Sequence, residues 1–177
     1  FTGTRRPKAT LYDMVLALRY EKPPVKTGEN LLKNHDFETG NGLPDQWITS
    51  RGAESVKVIK EGGKIGARCV MIEETESSAL VQSDIPVAHG KTYRISGHIK
   101  TEDFSCTRGD LAIVPTGWPV SYGISLGALK GTSDWTLLEE IVTIDRESRD
   151  GRFSLYFNIM GSQGRIWLDG VRVEEVM

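Results

Sequence analysis

From Glu29 to the end of the chain, apolar and polar residues alternate in short runs with a period of two. Successive side chains of an extended strand point to opposite faces, so this pattern predicts half-buried β-strands. In KTYRISGHIK, Tyr93, Ile95, Gly97 and Ile99 fall on one side, and Arg94, Ser96, His98 and Lys100 on the other. In RFSLYFNIMG, Phe153, Leu155, Phe157 and Ile159 form the apolar side, and Ser154, Tyr156, Asn158 and Met160 the polar one. The same reading predicts strands over 30–35, 46–50, 54–60, 67–73, 78–87, 91–101, 110–115, 121–127, 135–144, 152–160 and 165–175. Gly62-Gly63, His89-Gly90, Gly117, Gly131, Asp150-Gly151 and Gly161 break the runs at the spacing expected of a sandwich. The predicted fold is all-β, an antiparallel β-sandwich of jelly-roll type, with no internal repeat.

Residues 1–28 stand apart. FTGTRRPK is basic and polar, and KPPVKTGEN reads as a linker. Between them, ATLYDMVLALRYE alternates Tyr12, Met14, Leu16, Leu18 and Tyr20 on one face, although Leu11, Met14, Val15 and Leu18 also fit a helix. A strand is favoured, because Val and Tyr flank the run and Pro23-Pro24 ends it. The expected organisation is an N-terminal extension over 1–28, the tail of a preceding domain or an added strand, followed by a sandwich over 29–177.

Composition narrows the function classes. Of the 177 residues, 38% are hydrophobic and 26% charged, which suits one globular domain with a real core. A formal net charge of -2 provides no basic field for nucleic acid and no polybasic membrane patch. No apolar run reaches the roughly 20 residues that span a bilayer. The two cysteines are read as a buried Cys69 and a free Cys106, and the absence of CxxC, HExxH or clustered His argues against a transition-metal site.

Two stretches at opposite ends of the chain organise the rest. NLLKNHDFETGNGLPDQW (Asn30 to Trp47) carries Glu38, and RIWLDGVRVEE (Arg165 to Glu175) carries Asp169. A carboxylate in an apolar strand context needs a proton, a cationic partner or a metal. The first stretch resembles the opening of β-sandwich carbohydrate-binding modules of the family 4, 9, 16 and 22 type. IPVAHGKTYRISGHIKTED (Ile85 to Asp103), GTSDWTLLEEIVTI and the closing RIWLDGVRVEE resemble the middle, Trp-led and last strands of those modules.

The resemblance covers roughly Glu29 to Glu175. It implies a non-catalytic module that binds a polysaccharide or oligosaccharide, attached to a catalytic domain of the same secreted parent chain. It also implies core positions for Trp47 and Trp135. Further, it implies a structural Ca²⁺ held by Glu38, Asp169 and a carbonyl from the loop around Lys64. Gly170 stands where the family often has a second Asp, which removes one possible oxygen.

Sugars present C–H faces and hydroxyl edges, so a binder needs aromatic platforms and polar groups that reach in a plane. Candidates off the predicted core are Arg94, His98, Trp118, Tyr122, Tyr156 and Asn158, with Trp118 held in the Pro- and Gly-framed loop PTGWPVSYG. Trp167 points away from Ile166 and Leu168, to an outer face or under the N-terminal extension. No GxSxG or His triad context occurs, and Glu73-Glu74 and Glu139-Glu140 are strand neighbours that face opposite ways. Two alternatives stay open: a structural sandwich that supports a catalytic domain, and a small glycan-active enzyme, which two carboxylates converging in a cleft would favour.

Overall fold

A computed structural model describes residues 25–117 and 119–177. Its strands form two antiparallel sheets. The first sheet runs β3 (Val56–Ile59), β4 (Cys69–Glu73), β11 (Gln163–Val176), β6 (Thr92–Ser105), β9 (Gly131–Thr143), with β1 (Thr27–Asn30) also paired to β11. The second runs β2 (Ile48–Arg51), β5 (Ser77–Gln82), β10 (Phe153–Met160), β7 (Arg108–Pro115), β8 (Tyr122–Ser125). The chain passes between the sheets at most connections, as a jelly roll requires, and the β-sandwich of the sequence reading is the observed fold.

The period of two sets which side chains meet. Tyr93, Ile95 and Ile99 of β6 are buried against Leu111 and Ile113 of β7 and Phe157 and Leu155 of β10. Gly97 lies on the same inward face, where a Cβ would come within 3.1 Å of both Leu111 and Leu168, so the two sheets close together over a missing side chain.

Three expectations change in the structure. The stretch expected as a strand over 30–35 pairs only up to Asn30, and residues 31–47 form a loop pinned by one side chain. Asn34 donates to the carbonyls of Thr39 (2.9 Å) and Asp45 (3.0 Å) and accepts from the Thr39 N–H at 3.1 Å. This loop seats Trp47 in the core, 3% exposed and edge-on to Phe37 at 5.2 Å, with its indole N–H on the Asn34 carbonyl.

Trp135, expected in the core, is half-buried on the edge strand β9, because Thr136 pairs with the inward Ile99, which places Trp135 opposite the outward Lys100. The first strand opens at Thr27, within the segment read as linker, and pairs with Val176. The strand expected over 11–20 lies outside the described residues.

Candidate functional site

The outward face of the second sheet is built in rows. One row crosses all five strands: Arg51 on β2, Ala79 on β5, Asn158 on β10, Asp110 on β7 and Ser125 on β8. Ala79 is small, so the Arg51 side chain reaches over it, and its guanidinium donates to the Asn158 side-chain carbonyl. The Asn158 amide then donates to Asp110 Oδ2 at 3.3 Å, and Arg108 Nε lies 3.7 Å from the same oxygen. This continuous ribbon fixes the Asn158 amide orientation from both ends.

Two residues along β10, the next row holds Tyr156 between Val81 and Ala112, with Gly123 beyond. Ala112 beside it is 1% exposed and a Cβ at Gly123 would meet the Leu111 carbonyl oxygen at 2.3 Å, so the half-buried Tyr156 ring is what this row presents to the cavity. The ring row and the polar row lie roughly 7 Å apart along the strand, about the width of a pyranose. Pro119, Val120 and Ser121 form one wall of the resulting cavity of about 280 Å³, which Arg51, Arg108, Asp110, Val114, Tyr156 and Asn158 complete. It holds a platform for C–H groups, donors and acceptors in a plane, and a single carboxylate.

The residues expected to share one face separate. Tyr156 and Asn158 lie on this face. Arg94 and His98 lie on β6, on the outer face of the opposite sheet, because β6 and β10 belong to different layers. Tyr122 sits on β8 opposite the inward Ile113, so it packs toward the core rim. There its hydroxyl donates to Asp145, and burial with that hydrogen bond pushes its pKa up to about 12. Trp118 lies outside the described residues, in the loop whose residues 119–121 wall the cavity. Arg51, Arg108 and Asp110 were missed. Alternation in RGDLAIVP sets Arg108, Asp110, Ala112 and Val114 on one face and was a readable signal for two of them. Arg51 follows a bulge, which period counting does not see.

A second cavity, of about 250 Å³, lies over the first sheet between His35, Ile65, Ser96, His98 and Leu137. Its charges are already satisfied: Arg94 holds the buried Glu174 through Nε and Nη2 (3.1 and 2.6 Å), and Arg172 adds a third bond at 3.2 Å. No Phe, Tyr or Trp among the described residues lines it. Trp167 lies on this outer face under the Lys100 ammonium, 5.4 Å from the ring centre. Glu73 and Glu102 are both paired to Arg165 in a cavity that Glu74 and Asp103 also line.

Glu38 and Asp169 converge on the loop 61–68. Asp169 is fully buried, and its oxygens accept the N–H groups of Lys64 (2.5 Å), Ile65 (2.8 Å) and Gly170 (2.6 Å). Glu38 accepts the Arg68 N–H at 2.7 Å, and the Arg68 guanidinium takes the Glu38 and Gly40 carbonyls. Gly170 adopts φ +58, and a Cβ there would meet Ile65 at 2.4 Å, so glycine is what lets the loop close over Asp169.

Set against a calcium site, the residues fit in charge: no Lys or Arg among the described residues pairs with Asp169, and burial raises its pKa despite the three N–H donors. They fall short in oxygen donors, because Lys64 meets Asp169 through its N–H where a carbonyl was expected. No three His, Cys, Asp or Glu side chains among the described residues group as a metal cluster.

A family model described as carbohydrate binding domain matches residues 29–164. The chain belongs to that carbohydrate-binding domain family. Among curated proteins, none matches it significantly. Solved structures share the domain's fold at low identity. A family 61 module, TmCBM61, in complex with β-1,4-galactotriose is 22% identical with a TM-score of 0.60, over 82% of this chain and 98% of that one. The xylan-binding CBM22-1 domain of Xyn10C from Paenibacillus barcinonensis is 21% identical with a TM-score of 0.60, over 86% and 98%. An apo cyclase from Fischerella sp. is 14% identical with a TM-score of 0.63, over 82% and 95%. At these identities the likeness shows the fold of this carbohydrate-binding domain.

Proposed function

We propose that this carbohydrate-binding domain binds a polysaccharide or oligosaccharide on the outer face of its second sheet, without catalysing a reaction on it. The observation that carries this is the pairing of Tyr156 with the Arg51–Asn158–Asp110 ribbon one strand repeat away, all lining one cavity. A sugar ring lays its C–H face on Tyr156 and offers its hydroxyl edge to Asn158, Asp110 and Arg51. Asp110 is the single carboxylate lining the cavity among the described residues, whereas glycoside hydrolysis uses an acid–base pair.

In this reading the domain is extracellular and holds a catalytic domain of the same parent chain on its glycan. Glu38 and Asp169 would hold a structural Ca²⁺ only with further oxygen donors from water or the carbonyls of the loop 61–68, and the ion would supply the positive charge that buried Asp169 otherwise lacks.

The test is titration of the domain against a panel of soluble plant and bacterial oligosaccharides, with Tyr156→Ala and Asn158→Ala beside the parent. Each variant should weaken binding by roughly 1–3 kcal/mol, the range for an interface anchor. A parent that binds no sugar, or variants that bind as it does, would remove this face from consideration.

A further inference from the structure

The charges of the sandwich are divided unequally between its layers. The strands of the first sheet hold ten Asp and Glu residues against five Lys and Arg. The five strands of the second sheet hold one acidic residue, Asp110, and two basic ones, Arg51 and Arg108. All three line the cavity. In a chain with net charge -2, the binding face is therefore locally positive.

The distribution of partners sharpens this. Asp110, with a side chain 15% exposed, is already engaged by Asn158 and by Arg108. Arg51 is exposed, and its one partner among the described residues is the neutral Asn158 amide. One guanidinium charge is thus left uncompensated at the cavity edge. A guanidinium presents a planar fork of N–H donors that matches a carboxylate bidentately, and it keeps its charge at any physiological pH. Neutral sugar hydroxyls use the donors of such a fork and leave its charge unanswered.

Resting on the sugar-binding reading of this face, we infer that the ligand is an acidic glycan, and that Arg51 receives the carboxylate of a uronic acid residue while the neighbouring ring stacks on Tyr156. Asp110 supports this selection from the other side: it pairs with Arg108 and leaves Arg51 as the cation without a carboxylate partner among the described residues. Binding should therefore weaken with added salt, as an exposed charge pair does.

The test compares oligosaccharides of polygalacturonate, alginate and glucuronoxylan, each with its carboxyl-reduced form, which keeps the backbone and removes the charge. A sulfated galactan oligosaccharide serves as the other anionic source. The expected result is that at least one uronate binds about tenfold or more tightly than its reduced form. Arg51→Gln should erase that preference, and Arg51→Lys should restore only part of it. A thermal melt for each variant checks that the sandwich is intact, and Tyr156→Ala should weaken acidic and reduced forms alike. Reduced forms that bind as well as the acids in every pair would overturn the inference and leave the sugar-binding proposal standing. Preference for the sulfated glycan alone would overturn the uronate assignment. Failure of every sugar to bind would overturn both.

Discussion

At the scale of single residues, the side chains on the two outer faces do different work. Tyr156 is half-buried and its side chain carries no hydrogen bond among the described residues, so its loss should cost binding while stability stays within about 0.5 kcal/mol. Trp47 should behave in reverse. Its ring fills the core against Phe37, and Trp47→Ala should cost about 3–5 kcal/mol of stability, read in denaturant melts.

His98 provides a pH signature on the opposite face. Burial, with the Lys64 charge as the second cause, holds its pKa below the usual 6.5 against the opposing pull of Asp169. The folded chain therefore prefers the neutral imidazole. The stability this contributes is present above about pH 6.5 and is lost as the pH falls below it. Melts at pH 7.5 and 5.5 should show a fall for the parent that is smaller in His98→Gln; equal falls would clear His98 of the effect.

At the scale of elements, the loop 61–68 is held down by what β11 offers it. Gly170 at φ +58 supplies both the kink and the clearance for Ile65. Gly170→Ala should strain the backbone and push the loop off Asp169, with a loss of roughly 1–3 kcal/mol. Faster hydrogen exchange at the Lys64 and Ile65 amides would locate that loss, and unchanged exchange would show that the loop does not rest on Gly170.

The first strand makes a second element-level case. Asn30 donates to the Val171 carbonyl and accepts the Val173 N–H, both at 3.0 Å, and Thr27 pairs with Val176. A chain begun at Val25 keeps all of these bonds and should melt as the parent does. One begun at Leu31 loses them, leaves the buried edge of β11 unpaired and should melt lower.

At the scale of the whole molecule, the proposed calcium joins the two ends of the chain through Glu38 and Asp169. A ligand bound only by the folded state stabilises it by mass action. A chelator should then lower the melting temperature, by roughly 2–4 °C for each kcal/mol of binding lost in a domain of this size. Asp169→Asn should abolish the response. An identical melt with and without chelator would mean that the N–H groups of Lys64, Ile65 and Gly170 are the whole support of the buried carboxylate.

The sandwich was legible in the sequence, because each strand's alternation between core and solvent is a local property. Nearly every strand after Thr27 lies where the alternation sets it, and the inward residues of β6 and β10 are the ones expected. Asp169 also stood out as a carboxylate in apolar company. Which outward residues share a face was decided by tertiary structure alone. Period two says that Arg94, His98, Tyr156 and Asn158 all point out, but the layer holding each strand follows from long-range pairing. That pairing split the expected sugar site in two. It joined Tyr156 and Asn158 to Asp110 from β7 and, through a bulge, to Arg51 from β2, residues more than a hundred positions from Asn158 in one case. An outward side chain gains a function from its neighbours across strands, and those neighbours are fixed only when the sheets assemble.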